Sequence, residues 1–205
     1  MTAPHTYTGL AERILAEPPR LGGTRLVCVD GPAGSGKTTF AVRLAVALDT
    51  DGVLLHFDDL YAGWTLTGSV ARLSAGVLRP LAEGRPGSYH RFDWHAARFA
   101  QEPTAVPVAP VLVVEGCGSC ARALDPWVTR RIWVEAPQPL RTARGVARDG
   151  AHLAEHWQRW QRMEATVFAT ERTRERADLR VDGAVAGDAT SFTPEGPPTF
   201  GTRRG

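Results

Sequence analysis

The sequence contains little of what marks several classes of protein. It has only three cysteines in 205 residues, an odd number that fits a reducing compartment better than a disulfide framework. The formal net charge is +2, which is too small to indicate a nucleic-acid partner. No apolar run approaches the roughly 20 residues that cross a bilayer, and the N-terminus lacks the basic-then-apolar pattern of a secretory leader. We therefore expect a cytoplasmic protein without a membrane partner.

Length and patterning favour a single α/β domain. A chain of 205 residues with 43% hydrophobic and 22% charged residues is ordinary for one compact domain. Short apolar runs predict buried parallel strands at 26–30, 53–57, 111–114, 131–134 and 179–181. Helical patterns lie before and between them, at 9–17, 38–48, 70–81, 140–149 and 153–175. This alternation predicts a parallel sheet of about five strands with helices on both faces.

A glycine-rich segment follows the first of these strands. Residues 31–38 read Gly-Pro-Ala-Gly-Ser-Gly-Lys-Thr, which satisfies the P-loop pattern G-x-x-x-x-G-K-[ST] between a strand and a helix. Glycines are needed there because the backbone turns sharply and points N–H groups at phosphate oxygens. We expect Lys37 to reach the β- and γ-phosphates of ATP and Thr38 to ligate Mg²⁺. The residues predicted to bind the nucleotide are Gly31, Ala33, Gly34, Ser35, Gly36, Lys37, Thr38 and Thr39.

Acidic side chains follow the next two predicted strands. Asp58 and Asp59 come after 53–57, and Glu115 comes after 111–114. The carboxyl ends of parallel strands form the edge of the sheet where ligands bind. Asp58 suits the group that orients or deprotonates an attacking hydroxyl, and Glu115 suits a role in organising Mg²⁺. The choice between Asp58 and Asp59 as the base stays open.

Further short segments extend the pattern along the chain. They are Asp-Asp-Leu-Tyr at 58–61, Phe-Asp-Trp at 92–94, Glu-Gly at 115–116, arginines at 144 and 148, and Ala-Asp-Leu at 177–179. In this order, and together with the P-loop, they resemble the uridine kinase branch of the P-loop nucleoside and nucleotide kinases. The resemblance covers nearly the whole chain up to about residue 183. It implies the three-layer P-loop NTPase fold and phosphoryl transfer from ATP with Mg²⁺.

The resemblance also implies residues for the acceptor pocket. The family's Asp-x-Phe-Tyr segment matches 58–61, which implies Asp58 as the base and Tyr61 as a pocket wall. The family's Tyr-Asp-Phe element holds the nucleobase, and it matches either Tyr89 or the Phe-Asp-Trp segment at 92–94. The acceptor-binding residues implied in this way are Tyr61, Tyr89, Asp93, Trp94 and Arg98.

The resemblance further assigns the parts of the domain. A kinase domain is expected at 1–187, with a substrate-side insertion at 83–110 and a lid with its following helix at 140–176. Arg144 and Arg148 are expected to close over the phosphates from that lid, as catalytic residues beside Lys37 and Asp58. Residues 188–205, rich in proline, glycine and threonine, are expected to form a flexible tail.

These observations predict an ATP-dependent kinase acting on a hydroxyl of a small molecule. In place of the family's acid that grips ribose hydroxyls, this chain has Ala-Gly-Trp-Thr-Leu-Thr at 62–67. The acceptor therefore stays open between a nucleoside-like molecule, a nucleoside monophosphate, a vitamin precursor and an antibiotic. An alternative from another class is a nucleotide-dependent switch or assembly ATPase without a small-molecule acceptor. Whether the chain forms a homodimer is also open.

Overall fold

A computed structural model describes residues 5–49, 53–185 and 188–196 of the chain. Its strands, in chain order, are β1 (His5–Thr6), β2 (Arg25–Asp30), β3 (Val53–His56), β4 (Gly87–Tyr89), β5 (Phe92–Asp93), β6 (Arg98–Phe99), β7 (Thr104–Val106), β8 (Val111–Glu115), β9 (Val128–Glu135), β10 (Leu179–Asp182) and β11 (Ser191–Phe192). The α-helices are α1 (Tyr7–Ala16), α2 (Lys37–Leu48), α3 (Ser69–Leu73), α4 (Arg79–Ala82), α5 (Gln138–Asp149), α6 (Ala154–Glu171) and α7 (Thr173–Arg176). Short 3-10 helices span Phe57–Leu60, Arg122–Leu124 and Ala151–Leu153.

The centre of the fold is a five-stranded sheet in the order β10-β9-β2-β8-β3, in which every neighbouring pair is parallel. Alternate residues of β2 face opposite sides of this sheet, so Leu26 and Cys28 belong to one core cluster and Val27 and Val29 to the other. Helices α1 and α2 cover the second cluster, and side chains from α3 and α6 contribute to the first. The predicted five-stranded sheet with helices on both faces is confirmed.

The helix predicted at 70–81 is divided by a wider turn. Between α3 and α4 the chain forms a π-helical segment, Ser74–Leu78, in which the amide of Arg79 donates to the carbonyl of Ser74. The next residue, Pro80, has no N–H to donate to the carbonyl four residues earlier. Its position explains why regular α-helical bonding does not run through the segment. The sequence pattern indicated a helix here but not this change in geometry.

The chain beyond the last sheet strand differs from the prediction of a flexible tail. Strand β11 pairs with β1 in an antiparallel ladder, and Phe192 is buried against Tyr7 and Phe40. The tail prediction is therefore corrected for 188–196, because an aromatic side chain in this segment covers the ends of α1 and α2. Residues 197–205 of the predicted tail lie outside the described residues.

The predicted insertion at 83–110 consists of two antiparallel strand pairs, β4 with β7 and β5 with β6. The pair formed by β5 and β6 carries Phe92 and Phe99 opposite one another, with ring centroids 5.2 Å apart.

Among the described residues, no helix combines the length and apolar character needed to cross a membrane.

Candidate active site

The P-loop lies between the end of β2 and the start of α2. A Cβ atom added to Gly31, whose φ is 143°, would lie 2.0 Å from the carbonyl oxygen of Val134. A Cβ added to Gly34, whose φ is 79°, would lie 2.5 Å from the carbonyl oxygen of Arg141. Glycine is therefore required at both positions by backbone angle and by close packing. No side chain caps the first turn of α2, whose N-terminus is suited to an anion.

Lys37 opens α2 with its ammonium inside the loop. Its Nζ atom donates to the carbonyl of Pro32 at 2.9 Å, and only 7% of the residue is exposed. Burial alone would lower the pKa of Lys37, but the surrounding acidic groups, including Glu115 and Glu164, reverse the direction and raise it. Lys37 is therefore a fixed positive charge within the phosphate-binding loop.

A buried carboxylate connects this loop to the segment after β8. Asp30 is fully buried, and its two oxygens accept hydrogen bonds from the amides of Gly31, Gly118 and Cys120 at 2.7 to 2.9 Å. Burial raises the pKa of Asp30 to about 6, although these three donors act in the opposite direction. Asp30 thus fixes the P-loop relative to the end of β8, where Glu115 lies.

The raised pKa of Asp30 predicts a pH-dependent contribution to stability. The folded state holds the proton more tightly than the unfolded chain, whose aspartate pKa is about 3.9. The contribution is therefore complete below about pH 4 and is lost as the pH rises through about 6. The Asp30→Asn variant should not show this loss of stability as the pH rises. We expect its free energy of unfolding to be lower by about 1 to 3 kcal/mol, because an amide cannot accept from all three donors. Urea unfolding at pH 4 to 7 checks this, and parallel wild-type and variant curves would contradict it.

Four side chains converge where β3 and β8 end. His56 and Glu115 are paired residues of these neighbouring strands, and the Nδ1 atom of His56 lies 2.7 Å from Oε1 of Glu115. The hydroxyl of Thr38 donates to the same oxygen at 3.1 Å. The donor atoms of His56, Asp58 and Glu115 all lie within 4.8 Å of one another. The hydrogen bond to Glu115 raises the pKa of His56.

The two consecutive aspartates occupy different environments. Asp58 lines the cavity next to the P-loop, and its pKa is raised by desolvation and then by the negative charges of Glu115 and Asp59. Asp59 instead forms an ion pair with Nε of Arg91 at 3.0 Å and accepts from the hydroxyl of Tyr89 at 3.2 Å. The structure thus brings Asp58, and not Asp59, to the cavity next to the P-loop.

Helix α5 approaches the P-loop with its arginines. Arg144 donates to the carbonyls of Gly34 and Gly183, whereas Arg148 forms an ion pair with its neighbour Asp149. Both predicted lid arginines line the cavity.

A buried acid on α6 also holds this region together. Glu164 accepts from the amide of Ala33 at 2.8 Å and from Arg141 at 3.1 Å. It therefore joins α5, α6 and the P-loop. Sequence analysis did not identify Glu164, whose only signal is its position four residues after Trp160 on one helical face.

A cavity of about 890 Å³ is lined both by residues of the P-loop and the strand ends and by aromatic residues. Four of the six tryptophans line it, namely Trp64, Trp94, Trp157 and Trp160. The Trp64 ring centroid lies 5.8 Å from that of Trp94 and 5.9 Å from that of Trp160. Tyr61 continues this wall at 5.2 Å from Trp160. We call these five residues the aromatic wall.

The aromatic wall includes residues that sequence analysis missed. Trp157 and Trp160 follow a packing pattern on α6, and they are indeed buried, yet their rings also line the cavity. Trp157 comes close to α5 because Gly145 faces it, where a Cβ would lie 2.3 Å from the indole. Trp64 carried no motif, and only the folded structure brings it to this wall.

Three residues expected in the acceptor pocket lie outside the cavity. Tyr89 is directed to Asp59, and Asp93 accepts from the amides of His95 and Ala96 in an exposed turn. Arg98 is exposed opposite Asp93 in the β5–β6 ladder. The structure therefore does not bring these three to the aromatic wall, whereas Tyr61 and Trp94 do lie there. Of the predicted nucleotide-binding residues, Gly31 and Ser35 belong to the loop but do not line the cavity.

Comparison with solved structures found proteins that share this architecture. The chain is similar to a protein from Bacillus stearothermophilus described as a possible uridine kinase, with 20% identity, a TM-score of 0.62, and coverage of 85% of this chain and 96% of that one. It is also similar to a protein from Silicibacter sp. TM1040 described as a candidate fructose transport system kinase, with 21% identity, a TM-score of 0.60, and coverage of 85% and 98%. Likeness at this identity establishes the fold, and it confirms the expected α/β P-loop NTPase architecture.

Neither protein-family models nor curated proteins gave a match to the chain. The two solved structures therefore establish the fold, and the assignment of an activity depends on the chemistry of the site.

Proposed function

We propose that this protein is an ATP-dependent kinase that transfers the γ-phosphoryl group to a hydroxyl of a small molecule. The observation that carries this proposal is one cavity that is lined by Asp58, by the P-loop and by the aromatic wall. A switch or assembly ATPase has no need of such a wall next to its phosphate site. The descriptions of the two similar structures as kinases support the same conclusion.

Different residues have different roles in the proposed phosphoryl transfer. Lys37 and the amides of the P-loop hold the phosphates, and Arg144 and Arg148, which line the same cavity, neutralise charge on the group being transferred. Asp58 accepts the proton of the acceptor hydroxyl as its oxygen bonds to the γ-phosphorus, while the bond from that phosphorus to the β–γ bridging oxygen breaks and ADP leaves. The raised pKa of Asp58 makes it a better base than an ordinary aspartate.

The donors at the strand ends fit Mg²⁺. The hydroxyl of Thr38 and the carboxylate of Glu115 are 3.1 Å apart, and Asp58 adds a second carboxylate nearby. Hard oxygen donors of this kind suit Mg²⁺. When bound, the ion would neutralise charge on the phosphate oxygens.

The aromatic wall predicts how the acceptor is held. The hydroxyl of Tyr61 already donates to the carbonyl of Cys117, and the indole N–H of Trp157 donates to Asp149. The wall therefore offers mainly ring surface, which binds an acceptor by stacking and apolar contact. A flat or largely apolar acceptor body fits this surface better than a polyol does.

Trp64→Ala is expected to raise the KM for the acceptor about tenfold, since one stacking contact contributes roughly 1 to 1.5 kcal/mol. The KM for ATP should change little, because Trp64 is not part of the P-loop at 31–38. Steady-state kinetics with both substrates check this. Trp64→Phe keeps an aromatic ring, so its KM for the acceptor should lie between the values of the wild type and Trp64→Ala. Equal changes in the KM for the acceptor and the KM for ATP would contradict the assignment.

A screen of acceptors tests the function itself. ADP formation is measured with Mg²⁺ and ATP against nucleosides, nucleoside monophosphates, aromatic alcohols, vitamin precursors, aminoglycosides and simple polyols. We expect at least one class to raise the rate of ADP formation well above the rate without acceptor. ATP consumption that no acceptor changes would favour the ATPase instead.

A further inference from the structure

His56 introduces an imidazole into a site whose other donors are oxygens. It is the last residue of β3, and Glu115 is the last residue of β8, with the two paired in register across neighbouring parallel strands. Both side chains therefore leave the sheet at the same edge, beside the start of α2. Their contact of 2.7 Å follows from the fold and does not depend on a loop conformation.

The spacing of the donors suits one ion. Nitrogen and oxygen ligands of a divalent ion lie roughly 2.1 Å from it, so two ligands of the same ion are separated by roughly 3 to 4 Å. The donor atoms of His56, Asp58 and Glu115 lie within 4.8 Å of one another, and the hydroxyl of Thr38 lies 3.1 Å from Glu115. Small side-chain rotations would bring all four around a common centre.

The chemistry of the donors discriminates between metals. Mg²⁺ selects oxygen ligands, whereas imidazole favours first-row transition ions, whose affinity for a site of nitrogen and oxygen donors rises from Mn²⁺ towards Cu²⁺. Glu115 has a side chain only 4% exposed, so the site offers a carboxylate that is held in place and shielded from water. An imidazole fixed next to such a carboxylate is a feature that a site for Mg²⁺ alone does not need.

We propose that, in the protein without nucleotide, His56, Asp58 and Glu115 bind a divalent first-row transition ion through the His56 imidazole, in preference to Mg²⁺. This binding does not rest on the proposed function, in which Asp58 acts as the base and Mg²⁺ accompanies ATP. His56 is then a metal ligand in its own right and not only a hydrogen-bond partner that positions Glu115.

Titration of the nucleotide-free, tag-free full chain with Co²⁺ tests this inference. We expect visible d–d absorption bands at about one Co²⁺ per chain, and a large excess of Mg²⁺ should be needed to remove them. In the Co²⁺-loaded wild type, proton NMR should show a strongly shifted, exchangeable imidazole N–H resonance. Displacement of Co²⁺ by an equal concentration of Mg²⁺, or absence of that resonance, would overturn the proposal.

Two variants locate the ligand. His56→Gln, which keeps a donor towards Glu115, should weaken Co²⁺ binding at least tenfold and abolish the shifted resonance. His152→Gln changes another histidine of the same cavity that lies outside the donor cluster, and it should bind Co²⁺ as the wild type does. Unchanged binding in His56→Gln would overturn the proposal. If His56→Gln does not fold, the wild-type resonance and the competition with Mg²⁺ still decide.

The outcome is separable from that of the proposed function. Acceptor-dependent ATP consumption in a protein that shows no binding of Co²⁺ through His56 would overturn this inference and leave the kinase assignment intact. Binding of Co²⁺ through His56 in a protein whose ATP consumption responds to no acceptor would support this inference and overturn the kinase assignment.

Discussion

Lys37→Ala is expected to reduce phosphoryl transfer by about 10³-fold or more, which amounts to loss of activity in most assays. Its ammonium is the positive charge enclosed by the P-loop. The fold should be retained with lowered stability, because Nζ donates to the carbonyl of Pro32 and its charge compensates the acidic groups around it. Single-turnover measurement at saturating ATP checks the rate, and circular dichroism checks the fold. Unchanged turnover in a folded Lys37→Ala variant would contradict the assignment of the protein as a P-loop kinase.

The composition of the chain supplies a control for this prediction. Lys37 is the only lysine in the sequence, so an amine-reactive reagent can modify one side chain and the N-terminal amine. ATP should protect Lys37 from modification while leaving the N-terminal amine reactive, and peptide mass spectrometry distinguishes the two. If Lys37 is labelled in the absence of ATP, an equal extent of labelling with saturating ATP would show that the nucleotide does not occupy the loop.

Asp58→Asn is expected to lower kcat by roughly 10²- to 10⁴-fold, the range contributed by a positioned general base. The amide has nearly the same shape but cannot accept the proton of the acceptor hydroxyl. The affinity for ATP should change little, because the P-loop remains intact. Steady-state kinetics combined with equilibrium binding of ATP separate the two effects.

The neighbouring Asp59 provides the matched control. Asp59→Asn makes the same chemical change one residue away, at a carboxylate that pairs with Arg91 and Tyr89 outside the cavity. We expect it to affect stability modestly and kcat by less than about tenfold, as no reacting group contacts it. A large loss of kcat in Asp59→Asn with little change in Asp58→Asn would reverse the assignment of the base.

The parts of the site that the sequence predicts are those determined locally. The P-loop requires glycines at fixed intervals between a strand and a helix, so its position can be identified from 31–38 alone. Asp58 and Glu115 were identified because parallel strands share one carboxyl edge, and the sheet order places β3 next to β8 as that argument needs. Both inferences depend on short-range patterns joined by one general rule about sheets.

The remaining parts depend on contacts between distant segments. Trp64 meets Trp160 only because the loop after β3 packs against α6, and no periodicity in either segment indicates this. The register between β3 and β8 makes His56 a neighbour of Glu115, which a strand pattern alone cannot specify. Tyr89 belongs to an aromatic and polar segment whose composition predicts a pocket for the acceptor. Its hydroxyl instead donates to Asp59, outside the cavity.

The most direct test of the central claim follows the phosphoryl group. ATP carrying ¹⁸O in its γ-phosphoryl group is incubated with the wild-type chain, Mg²⁺ and the acceptors that raise ADP formation, and the products are analysed by mass spectrometry. The account predicts that one phosphoryl group carrying three ¹⁸O atoms appears on an acceptor hydroxyl for each ADP formed, and that Asp58→Asn lowers the formation of both products together. Recovery of all the label in inorganic phosphate, at a rate independent of every acceptor, would contradict it.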